Sequence, residues 1–213
     1  MAHLYPIYLN LEHKKCLVIG GGSVAERKVK TLLEYGAKVS LVSPDIQSGL
    51  RQLHDSGAIE WQAASFAPDH LEGVFMAFIT TDDHELNGEI AAACRERGIM
   101  VNAADDPPNC DFYVPAVLRQ DHLAVAISTE GRSPMFAAWL KRELGNIITE
   151  DYGRFVNKMG DIRELIKQSD LSLQERRMVF AALINALPLR LTPSQDENFA
   201  EERIEHCISC LQD

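Results

Sequence analysis

The chain has 213 residues, 46% hydrophobic and 24% charged, enough for one good core and a smaller appendage. Its formal charge of −10 argues against nucleic acid or an anionic membrane surface as partner, and an acidic substrate would have to be held by a local basic patch. The longest apolar run, residues 74–79, is far too short to cross a bilayer. No basic and apolar leader opens the chain, and five cysteines, an odd number, fit reduced thiols. A cytoplasmic location is expected.

Residues 1–13 read as a lead-in in which Pro6 forbids a helix. Cys16 to Ile19 reads as a buried parallel strand, followed by Gly20, Gly21 and Gly22. A helix with Ala25, Val29, Leu32 and Leu33 on one face comes next, closed by Gly36, and Val39 to Val42 gives a second strand. Strand, glycine turn, helix and strand in this order form a dinucleotide-binding βαβ unit. Gly20 permits the tight turn, and Gly22 lets the backbone approach a pyrophosphate. The unpaired N–H groups of Ser23 and Val24 face the phosphates. At the end of the second strand stand Ser43, Pro44 and Asp45. Asp45 either binds the ribose hydroxyl or only starts the next helix. With no arginine beside it to receive a 2′-phosphate, NAD is favoured over NADP.

Further along, Ile46 to Ser56 reads as helix and Ile59 to Ala63 as extended chain. Val74 to Thr80 is the next buried strand, ending in Thr80, Thr81, Asp82 and Asp83. Strand ends are where an open parallel sheet binds its ligand, and either aspartate can also cap the following helix, Glu85 to Arg97. Ile99 to Val101 is a fifth strand, running into a loop over 102–115. There the alternation stops. Two short strands, Phe112 to Leu118 and Leu123 to Ser128, precede a glycine loop in which Ser133 caps a helix begun by Pro134. That helix reaches about Ile148, with Phe136, Leu140 and Leu144 on one face. From Glu150 the chain reads as helix throughout. Phe155, Met159, Ile162 and Ile166 form one stripe. Ser172 and Glu175 form a capping box ahead of Met178, Val179, Ala182, Leu183 and Leu187. Pro188 ends that helix and Thr192-Pro193 starts the last one. Cys207 and Cys210 have metal-like spacing but no second pair, and the seven histidines are scattered, so no metal site is expected. The fold class is α/β: an NAD-binding Rossmann-type parallel sheet over 1–114, a small α+β segment over 115–149 and a helical C-terminal domain over 150–213.

The opening HLYPIYLNLEHKKCLVIGGGSVAERKVKTLLEYGA, the strand end ITTDD, the loop NAADDPPNCDFYVPA and the segment AVAISTEGRSPMFAAWLKREL follow in that order. Together they resemble the precorrin-2 dehydrogenase family, the domain found at the N-terminus of siroheme synthases. The resemblance covers residues 3 to about 148 and runs loosely into the helical tail. It implies NAD-dependent oxidation of precorrin-2 to sirohydrochlorin, and in some members insertion of ferrous iron as well. It also implies a homodimer, with 115–149 as the dimerisation segment. Carried over residue by residue, it makes Asp105 the catalytic acid–base. Gly20, Gly22, Ser23, Val24, Ser43, Pro44, Asp45, Thr80, Thr81, Asp82 and Asn102 become the NAD contacts. Where the family often has a serine pair and a glycine pair, this chain reads Ser128-Thr129-Glu130-Gly131. Of the cations Arg119, Arg132, Lys141 and Arg142, the tetrapyrrole's carboxylates are best met by Arg132, with the helix end behind it; Ser128 and Gly131 share its loop. Asp106 and Asp111 are weaker candidates for the acid. Two other readings stay open at this point: an NAD(H)-binding redox sensor, and a carrier or chelatase without dehydrogenase activity.

Overall fold

The computed structural model describes residues 3–186. Leu187, Pro188, the last helix expected from Thr192-Pro193 and the pair Cys207 and Cys210 lie outside them. The chain divides into two compact units that meet in sequence between Val114 and Pro115.

The first unit holds β1 (Lys15–Ile19), α1 (Ser23–Glu34), β2 (Lys38–Val42), α2 (Ser48–Asp55), β3 (Glu60–Gln62), β4 (Met76–Ile79), α3 (His84–Glu96) and β5 (Met100–Ala103). The five strands form one parallel sheet in the order β3-β2-β1-β4-β5. The chain winds one way from β1 to β3 and the other way from β4 to β5, so the strand order reverses between β1 and β4. Such a reversal is the place where an open parallel sheet binds its ligand, beyond the strand ends.

Because β1 and β4 are covered on both faces, they are apolar without alternation. On one face Cys16, Val18, Leu41, Met76 and Phe78 pack with Ala25, Val29 and Leu32 of α1 and Leu50 of α2. On the other, Leu17, Ile19, Ala77, Ile79, Val101 and Ala103 pack with Ile90, Ala91 and Cys94 of α3. Each wholly buried aliphatic side chain contributes about 1.5–3 kcal/mol. This clamping from both faces makes the strand ends a rigid base for the loops above them.

The elements follow the expected order with shifted ends. The second helix begins at Ser48 rather than Ile46, because Gln47 donates its N–H to the Gly21 carbonyl at 3.0 Å and is held extended. A 3-10 turn at Pro68–Leu71 had no signal beyond its proline.

The second unit begins with an antiparallel hairpin, β6 (Ala116–Gln120) and β7 (Leu123–Ile127), followed by α4 (Pro134–Gly145), α5 (Glu150–Lys167) and α6 (Leu173–Ala186). The first hairpin strand starts four residues later than expected, because Phe112 is instead packed against Phe78. Residues 150–186 share this unit with 115–149 and do not stand apart. A Cβ on Gly153 would come within 2.7 Å of the Gln120 carbonyl, and the Gln120 side chain donates to the Ile148 carbonyl at 3.0 Å. Ile162, Ile166 and Leu183 form a small core with Phe155, Met159 and Val179, whereas Met178 is exposed. The capping box is formed, with the Ser172 N–H donating to Glu175 at 2.8 Å and the Glu175 N–H donating to the Ser172 hydroxyl at 3.3 Å. On α4 the expected face is not buried within the unit: Phe136 is exposed, as are Met135 and Trp139, while Ala137 is buried.

Candidate functional site

The crevice is built on the glycine turn. Gly20 leaves β1 with φ +113°, and its N–H donates to the Val42 carbonyl at 3.0 Å. A Cβ here would stand 2.6 Å from the Thr80 hydroxyl and 2.8 Å from its carbonyl oxygen, so only glycine fits. Gly21 is more confined still: its Cβ would overlap the Asp45 carbonyl oxygen at 1.9 Å. The loop after β2 therefore lies directly on the glycine turn, a role for Gly21 that the motif by itself did not show. Gly22 is the opposite case, since a Cβ there would meet nothing within 4 Å.

Gly22 is also the N-cap of α1, with no side chain to cap the first turn. The first intrahelical bond is from Glu26 N–H to the Gly22 carbonyl, 3.0 Å, which leaves the N–H groups of Ser23, Val24 and Ala25 directed out of the helix end. Ser23 is exposed and Val24 half-buried. Open space at a glycine, beside unpaired N–H groups and the positive end of a helix, is the cradle that a pyrophosphate requires.

The two flanks are formed by the ends of β2 and β4. Ser43 is buried, its hydroxyl donating to the Asp45 carbonyl at 2.7 Å, while its own carbonyl accepts from the Trp61 indole at 3.0 Å. This bracing leaves Pro44 and the Asp45 side chain exposed at the rim. On the other flank the Thr80 hydroxyl donates to the Ile19 carbonyl at 2.8 Å. Thr81 is held by Asn87, a buried α3 residue whose amide donates to the Thr81 carbonyl at 3.1 Å and accepts from its hydroxyl at 2.5 Å. Asp83 is the helix cap, accepting from the N–H groups of Glu85 and Leu86 at 3.1 Å each. Asp82 is exposed. Of the two aspartates, Asp83 is therefore the cap.

Beyond β5 the backbone turns sharply, and Asp105 takes a left-handed φ of +56°, a conformation rare outside glycine, asparagine and aspartate. Its side chain is exposed. The neighbouring acids are otherwise engaged. Asp106 accepts from the Asn109 amide at 2.9 Å and has His84 3.9 Å away. Asp111 accepts from Arg95 and from the Val101 N–H, both at 3.0 Å. Asn102 is buried under this loop, donating to the Phe112 carbonyl at 2.9 Å and to the Cys110 sulfur at 3.5 Å. It braces the loop that carries Asp105. Burial pushes the Cys110 thiol up, and the thiol donates to the Ala103 carbonyl at 3.1 Å.

Gly20, Gly22, Ser23, Val24, Ser43, Pro44, Asp45, Thr80, Thr81, Asp82, Asn102 and Asp105 thus all stand at the strand-end side of one sheet. Ser128, Gly131 and Arg132 lie in the second unit, on the loop before α4. There the Ser128 hydroxyl accepts from the Glu130 N–H at 3.1 Å, and Glu130 and Gly131 both have positive φ. The Ser133 hydroxyl caps α4, accepting from the Phe136 N–H at 3.2 Å. Two residues that brace the site were not anticipated, Asn87 and Trp61.

The profile of a family described as "Putative NAD(P)-binding" matches residues 7–116, and one described as "Sirohaem biosynthesis protein central" matches residues 120–147. The chain belongs to the first of these, the "Putative NAD(P)-binding" family. Its cofactor class is a nicotinamide dinucleotide. It is 32% identical over 200 residues to a siroheme synthase of Photorhabdus laumondii, covering 94% of this chain and 43% of that one. It is 37% identical over 180 residues to a siroheme synthase of Nitrosomonas europaea, covering 84% of this chain and 38% of the other. The chain therefore spans about two-fifths of the length of these relatives. Among solved structures, one titled "SirC, precorrin-2 dehydrogenase" superposes with a TM-score of 0.74 at 22% identity, covering 98% of this chain and 99% of that one, which shows a shared fold.

Proposed function

We propose that this chain oxidises precorrin-2 to sirohydrochlorin with NAD as the hydride acceptor, as a cytoplasmic homodimer. The observation that carries the proposal is the Asp105 turn: an exposed carboxylate, fixed in a left-handed conformation at the end of β5, on the same sheet edge as a glycine cradle open to a pyrophosphate. The kinship with siroheme synthases and with the named dehydrogenase supplies the substrate class.

The nicotinamide, when bound, accepts the hydride. The chain's own residues do the rest. Gly22 and the N–H groups of Ser23 and Val24 hold the phosphates. Thr80, Thr81 and Asp82 line one side of the dinucleotide and Ser43, Pro44 and Asp45 the other. Asn102 holds the loop of Asp105, and Asp105 takes the proton that leaves the macrocycle with the hydride, so that two electrons and two hydrogens are accounted for. In the second unit, Ser128, Gly131 and Arg132 are the proposed substrate contacts.

NAD is favoured over NADP by two features of the β2 rim. The Asp45 carboxylate is exposed there and repels a 2′-phosphate, and Arg51 of α2 is stacked on Trp61 at 4.9 Å. The homodimer is supported by the exposed apolar side chains of Met135, Phe136 and Trp139 on α4, which a second copy would cover; sedimentation equilibrium of the parent protein should give twice the chain mass. Among the described residues no group of three or more His, Cys, Asp or Glu side chains could hold a metal ion; in the proposed chemistry ferrous iron is a substrate. Sirohydrochlorin supplied with ferrous iron tests that separate activity.

Purified protein given precorrin-2 and NAD should produce NADH and sirohydrochlorin together. The Asp105→Asn variant keeps the left-handed turn, which asparagine tolerates, but cannot accept a proton. It should bind NAD as the parent does and form product about 10²–10⁴-fold more slowly. A variant rate within threefold of the parent would remove Asp105 as the base, and a parent without product would remove the dehydrogenase.

A further inference from the structure

Lys28 has no role in the site so far described, yet the fold holds it in an unusual position for a lysine. It lies three residues after Ala25 and four before Leu32, on the flank of α1 that faces the sheet, and it is half-buried. Its Nζ stands 5.5 Å from the centroid of the Phe78 ring. Phe78 meets Phe112 edge to face at 5.5 Å, and across the sheet it pairs with Asn102, three residues before Asp105. The ammonium is therefore held under the ends of β4 and β5. Asp105 and Cys110 are within electrostatic reach of it, with Arg27 beside it on the helix.

This cation has a ring beneath it but, among the described residues, no ionic partner. Among the described residues no carboxylate lies within ion-pair distance of its Nζ and no acceptor within hydrogen-bond distance, whereas Lys30, two residues on, pairs with Glu26 at 2.6 Å. Burial and then Arg27 lower the Lys28 pKa, while Cys110 and Asp105 raise it. A partly desolvated charge without a partner is costly. The Phe78 face offsets part of that cost and also fixes where the charge waits. Such a group gains most from an anion that arrives with a ligand.

We propose that Lys28 binds a carboxylate of the tetrapyrrole, its ammonium over Phe78 taking an acetate or propionate group and so setting the macrocycle edge against Asp105. This rests on the dehydrogenase reading above. The other anion at hand is the cofactor pyrophosphate. It is disfavoured because Ser23 and Lys28 are five residues apart, about 7.5 Å along the helix. Lys28 is also turned toward β4 and β5, away from the loop after β2 that flanks the glycine turn.

The test uses Lys28→Met and Lys28→Arg in the full chain. Sirohydrochlorin keeps all the side-chain carboxylates of precorrin-2, so its binding is read from its absorbance without NAD, and NAD binding is read by calorimetry. Lys28→Met should weaken sirohydrochlorin by about tenfold or more, raise KM for precorrin-2 more than it lowers kcat, and leave the Kd for NAD within about twofold. Lys28→Arg should recover most of the loss. Should Lys28→Met melt early, Lys28→Gln gives the same reading with a polar side chain in place. Unchanged sirohydrochlorin binding in a folded variant overturns the proposal. A loss confined to NAD also overturns it and assigns the cation to the pyrophosphate. A parent protein that binds no sirohydrochlorin sinks the dehydrogenase reading itself, and is thereby told apart from a failure of Lys28 alone.

Discussion

Alanine at Gly21 and alanine at Gly22 should have opposite effects, though the two glycines are adjacent in one motif. At Gly21 the new Cβ would stand 1.9 Å from the Asp45 carbonyl oxygen, where ordinary contact begins at 3.4 Å. The obstacle is backbone, so the loop after β2 must retreat by about 1.5 Å. That retreat breaks the bond from Gln47 N–H to the Gly21 carbonyl, 3.0 Å, and disturbs the one from the Ser43 hydroxyl to the Asp45 carbonyl, 2.7 Å. Two hydrogen bonds are worth about 1 kcal/mol each, and overpacking adds about 1–3 kcal/mol. For a chain of this length, where each kcal/mol moves Tm by about 2–4 °C, Gly21→Ala should melt about 10 °C or more below the parent.

Gly22→Ala places its Cβ in open space, at φ −85° where alanine is comfortable. Its fold cost is that of a poorer N-cap, about 1 kcal/mol or less. The cost to ligand binding is larger. A methyl group in the phosphate path would break charge-assisted hydrogen bonds worth about 1.5–3 kcal/mol, or roughly 10–100-fold in NAD affinity. Thermal melting followed by circular dichroism and titration with NADH fluorescence separate the two. A Gly22→Ala protein that binds NADH like the parent would mean that the phosphates do not pass this helix end. A Gly21→Ala protein that melts with the parent would mean that the loop after β2 is not seated on the turn.

Asp45→Asn removes the charge at the β2 rim and should bring NADP affinity up toward that of NAD by about five- to tenfold, measured by competition. An unchanged ratio would leave Asp45 as only the residue ahead of α2. Asp83→Ala removes the acceptor for two α3 N–H groups and should cost about 1 kcal/mol, or about 2–4 °C in Tm, with NAD binding unaltered. Burial pushes the Cys16 thiol from 9.0 to about 11, and it does the same to Cys94, with help from Asp111. The unfolded chain sheds these protons from pH 9 and the folded chain holds them to about 11. The stability involved is therefore full below pH 9 and is lost as pH rises through 11, on the order of 5 kcal/mol for the pair. Urea midpoints at pH 8 and pH 10.5 should show that fall, and Cys16→Ala should start lower and lose roughly half as much.

What could be read in the sequence was whatever acts over a few residues. The apolar runs of β1 and β4, the row Ala25, Val29 and Leu32, the cap at Ser133 and the Ser172–Glu175 box each depend on periodicity or on a bond spanning one turn, and each formed as expected. The parallel sheet followed because βαβ alternation leaves few other ways to bury such strands. The misses have the opposite character. Asn87 carries no local signal, yet it is buried and fixes the Thr81 strand end. Asn102 gave no hint that its amide would be committed to Phe112 and Cys110, because those partners come eight and ten residues later on a loop. Even the middle glycine has its task only through the loop after β2, whose Asp45 carbonyl leaves no room for a Cβ there.

Lys28 shows where the limit lies. Its helical row marked it as facing the sheet, but a lysine on the edge of an apolar stripe usually carries its charge back out to water. What holds this one is the ring of Phe78, fifty residues downstream, steadied by Phe112, which is itself tied down by Asn102. A charge acquires a function only when its surroundings withhold a partner, and those surroundings are assembled from β4, β5 and the loop beyond them. The same contacts that aim Asp105 also strand the ammonium beside it. An Asn102→Ala protein should therefore lose alignment of both groups, raising KM for precorrin-2 and lowering kcat together, whereas Lys28→Met acts chiefly on KM. If Asn102→Ala reproduced the parent's kinetics while Lys28→Met did not, the lysine would be held by Phe78 alone, and the loop would have no part in placing it.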